Sequence, residues 1–419
     1  MYTALRLRRA ARKGQLRVTV VDPRPVMTYQ PFLPEAAAGS LEPRHVVVPL
    51  RAVLRGCRVI TGRVTSIDHA NRRATVEPPT GEQYDVDYDH VVVALGSVAR
   101  TLPIPGLADH AIGFKYVEEA IALRNQVLGR LDLAASINDE AARRRALTFV
   151  FIGGGYAGVE AFAELEDMAR FATRYYADLE PADMRWVLVE ASGRILPEVG
   201  DDLGRYTLEQ LRSRSMEVLL NTRLESCVDG NVELSDGQRF EADTLVWTAG
   251  VKANPVVAST GLPLDERGRI RCGADLRVEG CDAVWAAGDA AAVPDLSSNL
   301  PGATCSPSAQ HAVRQAKVLA RNLLEVLAGG APVEYRHRHV GSVASLGLYK
   351  GVAEVYGIRL RGFPAWFMHR TYHLSRVPTL NRKARVVLDW TLALFFPREV
   401  ASLGSLHHPS EEFRRAARA

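Results

Sequence analysis

The sequence predicts an α/β protein, because short apolar runs typical of strands alternate with helical stretches and with turns rich in Gly and Pro. Residues 1–113 and 114–255 share one plan: an apolar strand ending in an acidic residue, a β-rich segment, and a closing strand ending at Gly96 or Gly250. A chain of 419 residues is too long for one ordinary core. We therefore expect two related, Rossmann-like dinucleotide-binding domains, the second inserted into the first.

The apolar periodicity places the individual elements along the chain. Helices are predicted over residues 1–12 and 117–133, from 159 onward, and over 309–327. Strands are predicted over residues 17–22, 58–67, 74–77, 91–96, 147–152, 186–190, 244–250 and 283–287. The strand of residues 147–152 runs directly into a cluster of glycines, which makes this junction the strongest candidate for a ligand site.

The loop Gly153-Gly154-Gly155-Tyr156-Ala157-Gly158 is the most specific motif of the chain. In the pattern that Gly153, Gly155 and Gly158 match, the first glycine permits a tight turn, the second lets a pyrophosphate approach the backbone, and the third allows close helix–strand packing. The helix N-terminus behind the loop favours a phosphate. A glycine turn in a plain βα unit is the alternative, but the preceding strand and the acid-ended strand at Glu190 favour dinucleotide binding.

Glu190 and Asp22 each end an apolar strand. Glu190 is expected to bind ribose hydroxyls and to repel a 2′-phosphate, which favours NADH over NADPH. It lies further from the loop than the usual ~20 residues, and the extra length is assigned to a helical stretch over 164–179. Asp22 is expected to serve a second nucleotide, although an acid at a strand end can also simply face water. The glycine loop and strand that should precede residues 1–12 are missing, so we expect the coding sequence upstream of Met1 to supply them.

Charge and cysteine usage narrow the class of protein. Residues 363–419 hold nine Lys/Arg against four acids, a net charge of +5 within a chain whose total is +4. Nucleic acid and an anionic membrane surface both suit such a tail, and a solvated basic tail is the alternative. No secretory signal and no apolar run near the ~20 residues of a spanning helix is visible. The five widely spaced cysteines suit a reducing cytoplasm and argue against a metal cluster or a redox pair.

Further motifs carry a resemblance that covers residues 1–400. They are Tyr29-Gln30-Pro31-Phe32-Leu33, the run Trp247-Thr248-Ala249-Gly250-Val251-Lys252-Ala253-Asn254-Pro255, Ala309-Gln310-His311-Ala312, and the run Gly341-Ser342-Val343-Ala344-Ser345-Leu346-Gly347. With them the chain resembles the type II, non-proton-pumping NADH:quinone oxidoreductases of the two-dinucleotide flavoprotein superfamily. The resemblance implies hydride transfer from NADH to FAD and then transfer of two electrons to a membrane quinone. It also implies a peripheral location at the cytoplasmic face of the plasma membrane and no nucleic-acid partner.

The resemblance also assigns site residues. FAD would be held by Asp22, Gln30, the backbone of Val64, Ala94, Gly96, Gly288 and Asp289; NADH by Gly153, Gly155, Gly158, Glu160, Glu190, Ala249 and Gly250; and the quinone by Gln310, Arg314 and Lys350. Glu160 would sit near the nicotinamide, although an acid in the first turn of a helix is also favoured by the dipole alone. The chain departs from the family pattern at Arg314, where a second Gln is usual, and at Pro34, where Tyr is common. No metal ligand is expected.

The implied organisation is an FAD domain in two parts, an inserted NADH domain and a C-terminal segment. The FAD domain would comprise residues 1–113 and 256–345, the NADH domain residues 114–255, and the C-terminal segment residues 346–419. Trp366 and Trp390 would lie at the membrane interface, and the alternative for this segment is packing on the flavin domain or a homodimer contact. Cys305 is expected to be a buried structural thiol. Two other functions stay open: a soluble FAD-dependent NADH reductase with a protein or oxygen acceptor, and a flavin-free NADH-binding remnant.

Overall fold

The computed structural model describes residues 1–337 and 341–402. Its α-helices are α1 Tyr2–Arg12, α2 Leu33–Ala37, α3 Leu50–Val53, α4 Leu107–His110, α5 Val117–Ser136, α6 Glu140–Ala146, α7 Tyr156–Ala172, α8 Asp201–Arg212, α9 Ala309–Leu327, α10 Phe363–Arg376 and α11 Leu380–Leu392. Part of the basic tail noted in the sequence, including Arg414, Arg415 and Arg418, lies outside the described residues.

The β-strands are short, as expected for an α/β protein. They are β1 Thr19–Asp22, β2 Val26–Thr28, β3 Val47–Pro49, β4 Arg58–Thr61, β5 Arg63–Asp68, β6 Arg73–Glu77, β7 Tyr84–Asp87, β8 Val91–Val93, β9 Ser97–Ala99, β10 Ala111–Gly113, β11 Thr148–Ile152, β12 Arg185–Val189, β13 Glu217–Leu219, β14 Leu224–Ser226, β15 Asn231–Leu234, β16 Arg239–Glu241, β17 Thr244–Trp247, β18 Val251–Ala253, β19 Ile270–Arg271, β20 Val284–Ala286, β21 Ala291–Ala292, β22 Gly341–Ser345, β23 Gly351–Val355 and β24 Ile358–Arg361.

The chain forms two compact units. The first unit contains Met1–Met27, Val48–Arg100 and residues 251–337, and the second contains Thr28–Val47, Thr101–Gly250 and residues 341–402. The short segment 28–47 and the C-terminal helices therefore group with the glycine loop, whereas the sequence placed them in separate segments. The assignment of each cofactor to a segment stays a prediction.

The second unit is built on a parallel sheet of order β10-β17-β11-β12-β13. Strand β11 lies in the middle, and all five of its residues are buried. Phe149 pairs in register with Trp186 of β12, and their rings stack with centroids 4.4 Å apart. A central strand covered on both faces reads as a continuous apolar run, which is why the sequence predicted it correctly.

The first unit contains shorter parallel ladders. Strand β1 pairs with β4, Thr19 opposite Arg58, and strand β8 pairs with β20, Val91 opposite Val284. A hydrophobic core around the fully buried Trp285 packs beneath β8 and β20. These ladders end at the positions where the sequence places Asp22 and the Gly288-Asp289 pair.

Most predicted elements are confirmed, with differences at their ends. Helix α9 has the predicted bounds, and α7 begins at Tyr156 rather than at residue 159. The prediction of a helix over 164–179 is wrong beyond Ala172, where a single 3₁₀ turn follows. Aromatic residues have modest helix propensity, and Tyr176 leaves the helical path to donate a 2.6 Å hydrogen bond to Asp132.

The two C-terminal helices pack on their own unit through aromatic and charged side chains, which corrects one prediction. Trp366 is 6% exposed, and the indole nitrogen of Trp390 donates a 2.9 Å hydrogen bond to Glu35. The guanidinium of Arg370 lies 2.8 Å from the same carboxylate and stacks on both tryptophans. Trp366 therefore faces inward, and the half-buried Trp390 directs its indole nitrogen to the same buried ion pair. Among helices of residues 1–337 and 341–402, none is both long and apolar enough to span a bilayer.

Candidate functional site

The glycine loop joins strand β11 to helix α7, and two glycines of the motif, Gly153 and Gly158, are required by close contacts within the protein. A Cβ on Gly153 would lie 2.8 Å from the backbone of Thr248, and a Cβ on Gly158 would overlap the carbonyl oxygen of Gly153. Gly153 also has a φ of +113°, a conformation that side chains disfavour. By contrast, a Cβ on Gly155 would meet nothing within 4 Å. The open space at Gly155 is where the backbone can be approached by a ligand.

Glu190 follows β12 and reaches the loop. Its Oε2 accepts a 2.6 Å hydrogen bond from the backbone N–H of Gly154, and its Oε1 accepts one from Ser192 at 2.7 Å. The predicted acid is therefore at the loop despite the long connection from α7. These bonds fix the carboxylate in place and put its negative charge beside the loop.

The closing strand β17 contributes the other wall of this site. The hydroxyl of Thr248 donates to the carbonyl oxygens of Ile152 and Gly153, at 2.9 and 3.1 Å. Ala249 is half-buried, and Gly250 is exposed with a φ of +89°. The structure thus brings Ala249 and Gly250 to the edge that carries the glycine loop.

Glu160 lies in the first turns of α7 and is buried, with 7% of its surface exposed. Its Oε1 accepts a 2.8 Å hydrogen bond from the backbone N–H of Ser345, and lies 3.1 Å from Nε2 of His369. The second contact has the distance of an ion pair, although its angle is not that of a hydrogen bond. The sequence did not predict His369, which is almost completely buried on α10.

His369 and its neighbour His373 have pKa values shifted in opposite directions. Burial alone would lower the pKa of His369, but the short contact with Glu160 and the negative charges of the acids around the ring outweigh burial, and the pKa is raised. The pKa of His373 is lowered well below its ordinary value by burial and by the neighbouring His369 and Arg376. The hydroxyl of Tyr29 lies 3.3 Å from Nδ1 of His373. Glu160 thus stabilises the protonated form of one imidazole, next to a second imidazole whose neutral form is favoured.

Lys350 and a second buried acid lie on the same unit. The amino group of Lys350 is 3.7 Å from Asp167. Glu164, one turn beyond Glu160, accepts a 2.7 Å hydrogen bond from the hydroxyl of Ser345, and burial raises the pKa of its carboxyl. Ser345 therefore binds two acids of α7, Glu160 through its backbone and Glu164 through its side chain.

The first unit carries most of the residues predicted for the flavin. Asp22 ends β1 half-buried, and burial raises the pKa of its carboxyl against a hydrogen bond from the backbone of Arg24. Val64 lies in β5 beside a bulge, and the exposed Ala94 follows β8. Gln30 belongs to the second unit, where its amide donates to the carbonyl of Lys115 at 3.2 Å.

The Gly288-Asp289 pair forms a 3₁₀ turn after β20. Asp289 accepts a 2.6 Å hydrogen bond from the hydroxyl of Ser97, next to Gly96 with its φ of +67°. The backbone N–H of Gly288 donates to Oε1 of Gln315 at 2.7 Å. Gln315 was missed as a site residue, although it follows Arg314 in the sequence and lies four positions after His311, on one helical face.

Gln310 and Arg314 lie on one face of α9, in its first two turns. Ser308 caps this helix by accepting a 3.2 Å hydrogen bond from the backbone of His311. Gln310 is half-buried, and Nη1 of Arg314 lies 3.0 Å from Nδ1 of His337. Both belong to the first unit, whereas Glu160 and Lys350 belong to the second.

The cysteine thiols take no visible part in these sites. All five are free, and Cys227, Cys272 and Cys305 are buried. Burial raises the pKa of Cys272 to about 12 and that of Cys305 to about 11. The prediction that Cys305 is a buried thiol is confirmed. Within the described parts of the chain, no group of three or more His, Cys, Asp or Glu side chains is arranged to hold a metal ion.

Comparison with known proteins decides the family. A family model described as pyridine nucleotide-disulphide oxidoreductase matches residues 1–316. The type II NADH:quinone oxidoreductase Ndh of Mycobacterium tuberculosis is 30% identical over 386 residues, covering 88% of this chain and 81% of that protein. The type II NADH:quinone oxidoreductase of Staphylococcus haemolyticus is 29% identical over 377 residues, covering 88% and 90%.

The chain belongs to the type II NADH:quinone oxidoreductases. The structure of NDH2 from Plasmodium falciparum in complex with NADH matches it with a TM-score of 0.86 at 16% identity, over 93% of this chain and 95% of that one. This likeness confirms an α/β fold with the parallel sheets typical of Rossmann-like domains. The resemblance carried by the sequence motifs is thereby confirmed.

The His369–Glu160 pair yields a test. Replacing Glu160 by Gln removes the charge that opposes the desolvation of the imidazole, so the pKa of His369 should fall below the ~6.5 of an unperturbed histidine. Titration of the histidine ring signals by NMR in the parent and in Glu160→Gln measures it. The exposed His110 is the internal control and should titrate alike in both. An unchanged pKa of His369 would contradict the pairing.

Proposed function

We propose that this protein oxidises NADH with FAD as its redox cofactor and reduces a quinone at a membrane surface. The observation that carries the proposal is the glycine loop with Glu190 bonded to the backbone of Gly154. A tight glycine turn, a helix N-terminus and an acid at the end of the next strand together suit an adenine dinucleotide. Membership of the type II oxidoreductases supports NADH as the donor.

The loop suits NADH in shape and charge. The space beside Gly155 leaves room for a pyrophosphate against the backbone, and the N-terminus of α7 favours its negative charge. The fixed carboxylate of Glu190 would accept hydrogen bonds from ribose hydroxyls and repel a 2′-phosphate. Ala249 and Gly250 would bound the same cleft.

The described residues also suit both ends of FAD. Asp22 ends a parallel strand, as an acid that binds the adenosine ribose should. Asp289 is held by Ser97 after β20, where its carboxylate can accept from the hydroxyls of the ribityl chain. Gly96 and Gly288 both have positive φ, which allows the two tight turns beside which the flavin is proposed to lie. The backbone of Val64 and Ala94 would complete this set.

When bound, FAD accepts a hydride from NADH and passes two electrons to a quinone. The residues of this chain would orient the reactants and supply protons. Glu160, buried in the first turns after the loop, and His369 on α10 would hold a proton between them. Gln310, Arg314 and Lys350 are the groups proposed to hydrogen-bond the quinone.

The C-terminal helices suit a membrane surface on their outer side. Their inner side buries Arg370, His369 and Val386. The outer side exposes large apolar side chains, each more than half exposed: Phe363, Phe367, Leu380, Leu388, Leu392, Leu394, Phe395 and Phe396. An apolar patch of this kind marks an interaction site, and nearby Arg376, Lys383 and Arg385 suit anionic head groups. We propose peripheral attachment through this patch, in place of the buried Trp366.

Substitutions in the glycine loop test the NADH site. Gly155→Ala should weaken NADH binding by about tenfold or more, because the added methyl enters the space for the pyrophosphate while touching no protein atom. Gly158→Ala should also lower the melting temperature, because its methyl would overlap the backbone of Gly153. NADH titration by fluorescence and thermal unfolding measure the two effects. Unchanged NADH affinity in Gly155→Ala would place the nucleotide elsewhere.

Turnover with defined acceptors tests the overall reaction. The flavin-loaded protein should oxidise NADH much faster with a short-chain benzoquinone than with oxygen alone, and NADPH should be a poorer donor because of Glu190. Steady-state rates with each donor and acceptor measure this. Equal rates with and without the quinone would contradict the quinone assignment and favour an oxygen or protein acceptor.

Vesicle binding tests the membrane patch. Replacing both Phe367 and Leu388 by Ser should reduce co-sedimentation with vesicles containing anionic lipid, since each loses an exposed apolar side chain. Tyr175→Ser is the matched control, because Tyr175 is 62% exposed on the same unit but away from these helices. Binding that persists in the double variant, or is lost equally in the control, would contradict attachment through the patch.

A further inference from the structure

A chain of hydrogen-bonding groups runs from the start of helix α9 in the first unit. Nδ1 of His311 lies 3.0 Å from the hydroxyl of Tyr335, which lies 3.4 Å from Nδ1 of His337. The ring centroids of His311 and His337 lie 4.1 Å apart, and the ring planes are tilted by 39°. Each of the three groups can both donate and accept a proton, so they form a continuous path of exchangeable protons.

The path leads from the interior of the unit toward its surface. Tyr335 is 2% exposed and His311 is 8% exposed, whereas His337 is half-buried. Burial raises the pKa of Tyr335 to about 12, so its hydroxyl is protonated at neutral pH. A phenol that stays protonated can pass a proton on only by accepting one proton while it donates another. Tyr335 can do this because its hydroxyl lies between two imidazoles.

The inner end of the path lies beside the residues proposed for the acceptor. His311 follows Gln310 directly in the first turn of α9. The next turn of the helix holds the Gly288-Asp289 turn through Gln315, and a Cβ at Gly288 would lie 3.4 Å from the side chain of Ala312. The first turns of α9 therefore join the proton path to the turn proposed to bind the flavin.

We propose that His337, Tyr335 and His311 form a proton relay that delivers a proton from water to the reduced quinone. The proposal rests on the proposed function, because the proton is delivered to a quinone. NADH supplies two electrons and one proton as hydride, whereas reduction of a quinone to a quinol consumes two electrons and two protons. One proton per turnover must therefore come from water.

The transfer along the relay conserves protons at every group. His337 takes up a proton from water on Nδ1, which displaces the hydrogen bond from Arg314, and gives that proton to the oxygen of Tyr335. Tyr335 gives its hydroxyl proton to Nδ1 of His311, and His311 releases the proton of its other nitrogen to a quinone oxygen. One proton enters and one leaves; His337 returns to its starting form, whereas Tyr335 and His311 end with the opposite hydrogen-bond polarity, which the next turnover must reset.

The surrounding charges give the relay a direction. Nη1 of Arg314 lies 3.0 Å from Nδ1 of His337 and can only donate there, so it disfavours a proton on that nitrogen and drives it toward Tyr335. The carboxylate of Asp295 interacts electrostatically with both histidines and stabilises their transient protonation. Cys305 and Arg269 are the other ionisable groups near the relay in the described residues. Arg314, which departs from the family pattern, acquires a role through its contact with His337.

Transient kinetics of flavin reoxidation test the relay. The flavin-loaded protein is reduced anaerobically with one equivalent of NADH and mixed with a short-chain benzoquinone, in water and in D₂O, or with ferricyanide. Tyr335→Phe should slow reoxidation by the quinone about tenfold or more and alter its solvent isotope effect. Reoxidation by ferricyanide, which takes electrons without protons, should not change, and neither should reduction by NADH.

Tyr88→Phe is the matched control. Tyr88 also hydrogen-bonds an imidazole, that of His69 at 3.3 Å, within the same unit but outside the relay. It should leave both reoxidation rates unchanged. Equal quinone rates in Tyr335→Phe and the parent would overturn the relay alone, and equal slowing with quinone and ferricyanide would overturn it in favour of a structural role. A parent protein that the quinone does not reoxidise would overturn the proposed function.

A second variant covers the case in which Tyr335→Phe does not fold. His337→Ala removes the half-buried end of the path, where a small molecule can replace it. Its quinone-dependent reoxidation should be slow and should recover on addition of imidazole, while the ferricyanide rate stays constant throughout. Slow reoxidation without recovery would contradict proton transfer through His337.

Discussion

The close approach of helix α7 to strand β11 is the constraint on which the nucleotide-binding unit depends. The helix can begin beside the strand end only because Gly158 lacks a Cβ that would overlap the carbonyl of Gly153. That contact aims the N-terminus of α7 at the loop, and sets where Glu160 emerges two residues later. Loop shape, dipole direction and the position of the first buried acid all follow from one missing methyl group.

Ion pairs with buried acids hold the C-terminal part of the chain against the rest of its unit. Glu160 faces His369, Glu35 faces Arg370, and Glu164 lies 3.8 Å from Arg398. In each case the acid lies in the segment 28–47 or on α7, and the cation comes from the C-terminal part of the chain. Removing one partner of a buried pair leaves the other charge uncompensated and lowers the free energy of unfolding by about 3–5 kcal/mol. These helices are therefore part of the unit's interior electrostatics as well as a candidate membrane surface.

The sequence predicted the features that depend on a local pattern and missed those that depend on residues paired across a long stretch of chain. The glycine loop, strand β11 and the acid at Glu190 follow from spacing along a short stretch of chain, and α9 from helical periodicity. His369 pairs with a residue more than two hundred positions away, and no local signal marks it. Trp366 was placed wrongly because the pattern of an amphipathic helix does not tell which face meets protein; the contact of Trp366 with the buried pair of Glu35 and Arg370 decides that. Among the residues that the sequence did not predict, Gln315 had a usable signal, because it lies four positions after His311, on the same helical face.

The buried thiols have a consequence for durability. Only a thiolate reacts readily with peroxide or with another disulfide, and the raised pKa values of Cys272 and Cys305 leave almost no thiolate at neutral pH. Cys227 is shielded in the same way. With the flavin proposed above, the protein would be exposed near oxygen to its own reactive by-products. Cys227, Cys272 and Cys305 would react slowly with them, so oxidative inactivation should begin at methionine or at the partly exposed Cys57 and Cys281 before it reaches these three thiols.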